Sequence, residues 1–414
     1  MEKSDFYLNK IYLFLALFLP ISLLIGNAVS KSTQLLIIII FLITCYLNKN
    51  FSWIKNRYFF LLGIIWISLL INLLFAKNMN LSFLRNITFI ENIFFIFALC
   101  FILKKKKFFN LIFFVYLIIV TVVAFDIFFE FLTKKNILGF QSYDPNRISS
   151  FLGKELKIGS FMLGFSFISI CYYFEKYLNK SIYYKFFGFF LLIFFFISIL
   201  LTGERANSFR AIIFLFLFIL LSKKKIINHK KILLMIIIIL TIFIYFFSEK
   251  IKYRFNVILI PISQIGLTET FKETQHGAHF YAAIKMFKNN PLFGVGNKNF
   301  REECAKKEYE NNNYKRTAER CATHPHQIYY EFLSEHGLVG TVIIFSIILI
   351  VLLKGFKIYF ENKNSIHLAS ILFILTQFFP LIPSGSFFTS WGAAIFWFNF
   401  SILIFYNNKF KGKI

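Results

Sequence analysis

Two stretches of this sequence gather ionisable side chains in a pattern that suits group transfer. The first is Thr323-His-Pro-His-Gln-Ile-Tyr-Tyr-Glu-Phe-Leu-Ser-Glu-His-Gly337. Ile328, Phe332 and Leu333 recur as the apolar face of a short helix, Pro325 suits its first turn and Gly337 its C-terminal cap. His324 and His326 then stand at the positive end of the helix dipole, which disfavours imidazolium and keeps His326 neutral near pH 7, as a general base requires. The plainer alternative is a histidine that only caps or packs. The second stretch is Leu201-Thr-Gly-Glu-Arg-Ala-Asn-Ser-Phe-Arg210. Arg205 and Arg210 can hold a phosphate through paired hydrogen bonds. The plainer alternative there is an arginine reaching lipid headgroups, or a Glu204–Arg205 pair. Asp126, Glu130 and Arg147 are further candidates on weaker grounds.

A metal centre is a rival use of the histidines. His324, His326 and His336 with Glu331 and Glu335 have the right chemistry for zinc. His336 lies far along the helix from His326, however, and the set does not converge on one ion, so no metal is expected. Gly294-x-Gly296, in Phe293-Gly-Val-Gly-Asn297, is read as a tight turn rather than a phosphate cradle. The preceding run from His279 to Asn290 has helical spacing at Phe280, Ala283, Ile284 and Phe287, and Pro291 stops it. Cys304 and Cys321 are the cysteines outside apolar runs. A bridge between them closes a loop of about 17 residues, a stabilisation of roughly 3 kcal/mol in the chain-entropy view. Cys45, Cys100 and Cys171 lie within apolar runs as small apolar residues.

The elements that position these groups are membrane helices. Of 414 residues, 58% are hydrophobic, more than a water-soluble fold of this length carries. Uncharged runs of roughly twenty residues recur along the whole chain, the length that crosses a bilayer core. Such runs satisfy their backbone hydrogen bonds only as helices, which makes this an all-α polytopic membrane protein. Spans are expected near 11–29, 33–47, 58–76, 87–103, 108–132, 158–174, 186–202, 209–222, 232–248, 338–353, 367–382 and 391–406. The 62 phenylalanines fill lipid-facing positions, and the first apolar run reads as a span rather than a cleavable leader.

The formal charge of +26 does not describe a nucleic-acid surface, because the charges sit in short clusters between spans. With the N-terminus inside, the inner connections hold Lys49, Lys55 and Arg57, then Lys104 to Lys107, then Lys176, Lys180 and Lys185. They continue with Lys223, Lys224, Lys225, Lys230 and Lys231, then Lys354, Lys357 and Lys363, and the tail adds Lys409, Lys411 and Lys413. Most outer connections are poorer in Lys and Arg, the 133–157 loop being the exception. This bias places both termini in the cytoplasm and residues 249–337 outside, the periplasmic face in a bacterium. Three regions follow: membrane helices over 1–248, a large, mostly helical outer loop over 249–337, and membrane helices over 338–414. A loop of that length is expected to carry function.

His326-Gln327, nine residues, then Gly337-Leu-Val-Gly340 resembles the signature of the O-antigen ligase and polymerase superfamily. Arg205-Ala-Asn-Ser-Phe209 is similar to its second motif, with Phe where Leu is usual, and Asn290 to Phe300 looks like the family segment ahead of the histidine. The resemblance is firm from about 200 to 345. It implies a fold resembling GT-C membrane glycosyltransferases and transfer of a glycan from undecaprenyl diphosphate to a lipid A–core sugar hydroxyl. His326 would be the base and Arg205 the diphosphate stabiliser, with no cofactor and no metal. Arg210, His324, Gln327, His276 and Arg320 would line the substrate site, and Gly294, Gly296, Gly337 and Gly340 would shape the backbone. Many relatives have Arg at the position of His276; a neutral imidazole holds a diphosphate less well and shifts that task to Arg205, Arg210 and Arg320. The implied partners are a lipid-linked glycan donor, a glycan acceptor and the lipids of the inner membrane. The same motifs leave open a polysaccharide polymerase or a protein oligosaccharyltransferase. A transporter is disfavoured, since the spans show few ionisable or Gly/Pro-broken centres and no internal repeat.

Overall fold

Apolar runs dictate the architecture. A computed structural model describes residues 2–223, 230–380 and 382–409. Lys224, Lys225, Lys411 and Lys413 of the charge pattern lie outside them. The described residues form helices and connecting loops, with no strand among them. In chain order the helices are α1 (Glu2–Ile25), α2 (Asn27–Leu47), α3 (Arg57–Leu74), α4 (Met79–Thr88), α5 (Ile90–Leu103), α6 (Lys106–Thr133), α7 (Ile158–Tyr177) and α8 (Ile182–Leu201). They continue with α9 (Arg205–Leu221), α10 (Lys230–Phe247), α11 (Glu249–Glu273), α12 (Gln275–Asn289), α13 (Phe300–Glu303), α14 (Ile328–Asn362), α15 (Ser365–Gln377) and α16 (Ser390–Lys409).

The chain is a multi-pass membrane protein. Each expected apolar run overlaps a helix, although 11–29 crosses the break at Gly26 between α1 and α2 and 367–382 runs past the end of α15; nine helical segments among the described residues are long and apolar enough to cross a bilayer, α4 and α5 together making one of them. The runs at 209–222, 367–382 and 391–406 coincide with α9, α15 and α16, which are not among those nine. Helices α7, α15 and α16 are buried on nearly every face and form the centre of the bundle. Only Leu233, Ile237 and Ile244 of α10 are buried, so that helix lies at the periphery.

The connections sort into two ends. At one end the Lys77 amide donates to the Val295 carbonyl, Ile148 to Thr202, Ser384 to His326, and the Trp391 indole to Leu23. At the other, the Tyr359 hydroxyl donates to Leu221, the Ser365 amide to Glu175 and Lys105 to Asn9. The first end gathers the 133–157 loop, the Arg205 turn and the 249–337 segment, so both motifs lie at that end.

The sharpest local feature is the break in α14. Gly337 has φ 62°, and an added Cβ would come within 2.4 Å of the Leu292 carbonyl. The interrupted helix instead docks on the 291–296 turn: Leu338 and Val339 donate to the Pro291 and Leu292 carbonyls, while Val295 and Gly296 donate to Ser334 and Glu335. Asn72 of α3 ties both sides, donating to Phe293 and Glu335 and accepting from the Asn297 amide. Gly337→Ala combines left-handed strain with a backbone clash, and we expect it to cost about 1–3 kcal/mol from strain alone, with a further loss from displaced contacts. A lowered thermal midpoint of the detergent-solubilised protein, with helical content kept, is the result expected.

Three local expectations need correction. Pro325 precedes the helix rather than starting it, because Gln327 is the N-cap and accepts from the Tyr329 and Tyr330 amides. Helix α12 begins at Gln275, capped by Thr274, and buries His279, Ala282, Ala283 and Met286; Ile284 is exposed. Small residues win the interface there because they allow close approach to α14, and Phe280 stacks at its edge on Tyr330. Glu204 does not pair with Arg205; its carboxylate accepts from the Gly159 amide and the Asn207 amide group.

Candidate active site

The chain folds so that four histidines share one place. His276 and His279 lie three residues apart on one side of α12. His324 and His326 come from the segment ahead of α14. The His326 ring is 4.1 Å from that of His324, 5.3 Å from His279 and 5.4 Å from His276, centroid to centroid. His326 is the hub of the cluster and is held in a left-handed conformation, φ 59°, which a non-glycine residue adopts at a cost when surroundings impose it. Its carbonyl accepts from the Ser384 amide at 2.8 Å.

The four rings have different freedoms. His324 is buried, with Nδ1 against the Thr323 hydroxyl and Nε2 against the Ser384 carbonyl. His279 is buried with Nε2 against the Glu319 carbonyl. A carbonyl only accepts, so that nitrogen carries the proton and Nδ1, buried without a partner, is a bare acceptor. Nδ1 of His276 is likewise buried without a partner. His326 is half-buried, and among the described residues none hydrogen-bonds its ring. Burial holds all four below the ordinary imidazole value of 6.5. His276 and His279 fall to about 4 and His324 to about 3, with the neighbouring His326 as the next cause in each. For His326 burial alone acts. The cluster is neutral at pH 7, and its half-buried rings are those of His326 and His276.

Arg205 lies near enough to His276 to add, after burial, His326 and His279, to what disfavours its imidazolium. It is half-buried, and its Nη1 donates to the Arg254 carbonyl at 3.1 Å. Arg254, on α11, returns a hydrogen bond from Nε to the Gly203 carbonyl, and its Nη1 lies 3.8 Å from Asp144. Burial and the nearby Arg147 hold Arg254 below its ordinary pKa. Arg147 itself donates to the Leu156 carbonyl. Three guanidinium groups thus crowd one patch with a single, long ion pair, an arrangement that favours a bound anion. Arg254 escaped the sequence reading because Lys250, Lys252 and Arg254 look like a charged flank of the preceding span.

Other expected substrate contacts have different work. Arg210 is buried and donates to the Thr376 and Pro383 carbonyls and to Asn207, so it does not stand free beside Arg205. Arg320 spends its guanidinium on the carbonyls of Cys304, Ala305 and Thr317. Gln327 caps α14, as above. The 383–387 strap explains Arg210: Pro383 is held by Arg210, Ser384 touches His324 and His326, and Ser386 and Phe387 donate to Glu331. Buried charge is used here to fix a loop that fixes His326.

The remaining candidates are also structural. Asp126 accepts from Ile137 and Ser150, and Glu130 from Ser149 and Ser150, which anchors the 133–157 loop. The amides of Gly294, Val295, Gly296 and Asn297 are all taken within the protein, leaving no donors for a phosphate. Gly340 faces the His336 Cβ at 2.7 Å from an ideal Cβ, so the helix closes on that side chain. His336 packs on Phe332 and Phe388, and Glu335 accepts from the Lys298 and Phe300 amides, so the rival zinc set is dispersed. Among the described residues no group of three or more His, Cys, Asp or Glu is arranged to hold a metal ion. Cys304 and Cys321 are joined in a disulfide, with Cα atoms 5.2 Å apart.

A search of curated proteins returns no match. The family model described as O-antigen ligase matches residues 189–345, a range that contains Arg205, Arg254, all four clustered histidines and the Gly337 break. Over residues 189–345, which hold both motifs, the chain carries an O-antigen ligase domain.

Proposed function

We propose that the chain transfers a glycan from a polyprenyl diphosphate, undecaprenyl diphosphate in a bacterium, to a sugar hydroxyl of lipid A–core at the outer face of the inner membrane. What supports this reading is a neutral imidazole cluster and an arginine cluster at the same end of the bundle, near enough for Arg205 to disfavour the His276 imidazolium. The donor tail lies in the bilayer and its diphosphate beside Arg205, Arg254 and Arg147. His326 takes the proton of the acceptor hydroxyl as that oxygen bonds to the anomeric carbon, and the bond to the diphosphate oxygen breaks. The leaving diphosphate gains negative charge, which fixed guanidinium groups stabilise in the transition state. His276, His279 and His324 stay neutral and pack the base in place without repelling it. Among the described residues, Asp144 is the one carboxylate within ion-pair distance of these arginines, and Glu204 is bonded internally. Both termini are then cytoplasmic, the 249–337 region is periplasmic, and the disulfide sits in an oxidising compartment.

The test is transfer by the purified full chain from a lipid diphosphate-linked glycan to lipid A–core, with and without a chelator. Product formed equally in both supports the reading, and loss with chelator overturns its metal-free chemistry. Electrophoresis of surface glycan from a deletion strain separates the neighbouring activity. Bare lipid A–core is expected; a single capped repeat would mean a polymerase. The neutral form of His326 is the reactive one and its pKa is lowered from 6.5. Transfer should therefore be full at pH 7 and fall tenfold per pH unit only in acid below 6.5. An acid limb centred above 7 would exclude His326 as the base.

A further inference from the structure

The histidine cluster has a second cationic neighbour, approached from His324 rather than from His276. Arg301 at α13 donates to the Thr323 carbonyl, and Thr323 holds the His324 ring. Lys298 lies one turn earlier in a left-handed conformation, φ 64°, its amide fixed by Glu335. Arg85 comes from α4, which is clamped to this segment through Asn86 on Asn297 and Ser82 on Asn299. The clamp sets the segments that carry Arg85, Lys298 and Arg301 side by side, and burial, then Arg85 and Arg301, lower the Lys298 ammonium from its ordinary value. Arg85 has one weak partner, the Ser390 hydroxyl at 3.4 Å, and it lines an outer-end cavity with Lys31, Gln34, Asn92, Phe388 and Ser390. The nearby carboxylates are occupied. Glu91 pairs with Lys31, Glu302 accepts from Asn78, and Glu335 accepts two backbone amides. Among the described residues, none of the three cations has a carboxylate within ion-pair distance.

We infer that Arg85, Lys298 and Arg301 form a second anion site, which takes a phosphate monoester on the glycan acceptor and aligns its hydroxyl with His326. This rests on the reading of His326 as the base. Three unpaired cations suit a group bearing nearly two negative charges better than they suit a single carboxylate. The polar amides and aromatic ring of the adjoining cavity suit a sugar. Two anion sites, one entered through Arg205 and one through Arg301, would bring donor and acceptor to the same imidazole from different directions.

The experiment uses the full chain in nanodiscs of zwitterionic lipid and two acceptors identical except for one phosphate monoester. The phosphorylated acceptor should be preferred by about tenfold or more in kcat/KM. Arg85→Gln with Arg301→Gln should erase that preference through KM, and Arg85→Lys with Arg301→Lys should restore part of it. No preference in the native protein, or equal losses on both acceptors, overturns the site. Loss of the preference when anionic lipid is added to the disc also overturns it, because the site then belongs to headgroups. If the native protein transfers to neither acceptor, the transferase reading fails by itself. The anion site is then judged by saturation-transfer NMR of the phosphorylated acceptor: signal lost in the Gln pair supports it, and signal unchanged overturns it.

Discussion

His326→Ala is expected to lower glycan transfer by about 10²–10⁴-fold, the range that a positioned general base contributes. The cause is the loss of the accessible neutral imidazole. His324 and His279 cannot take over, since their rings are buried and bonded to the Ser384 and Glu319 carbonyls. The backbone at 326 is left-handed, so alanine also feels strain there. His326→Asn is the better control, because asparagine tolerates that conformation and removes the base all the same. Both variants should insert with unchanged helical content, and surface glycan in cells should vanish. Normal surface glycan in the asparagine variant would sink the assignment.

Arg205→Ala should cost about 10²–10³-fold in kcat, comparable with removal of a preorganised charge stabiliser. Arg205→Lys keeps the charge but loses the planar fork, so an intermediate rate is expected. The interplay with Arg254 gives a cleaner test. Arg205 bonds the backbone carbonyl of Arg254, not its side chain. Arg254→Ala therefore leaves Arg205 anchored while removing one guanidinium. A fall of about tenfold, with weaker inhibition by inorganic pyrophosphate, marks a shared diphosphate patch. Full activity together with native pyrophosphate inhibition in Arg254→Ala would confine the role to Arg205. Arg210→Ala should behave differently, since it releases the Pro383 carbonyl and loosens the strap that holds His326. Its signature is lost thermal stability alongside lost rate.

Some of this protein is written locally. Apolar runs determine the membrane helices because a bilayer leaves backbone groups no other partner. Gly337 marks the break in α14, where only a residue without Cβ lets the chain dock on the Leu292 carbonyl. Cys304 and Cys321 are legible as a pair since they are the cysteines that lie outside the apolar runs. His326 is legible by type and by its place just ahead of a helix. What only the tertiary structure decided is which candidates have hydrogen bonds to spare. Arg205 and Arg210 look alike in sequence, yet Arg210 is buried on carbonyls brought in from the 376–383 region. Arg254 and His279 gave no local signal, because their importance comes from neighbours distant in the chain. The apolar spacing of α12 pointed to Ala283 and Ile284; close packing kept Ala283, added Ala282 and Met286, and left Ile284 exposed. A sequence lists the donors, charges and apolar faces; long-range packing allocates them, and that allocation decides which arginines and imidazoles keep groups free of internal hydrogen bonds.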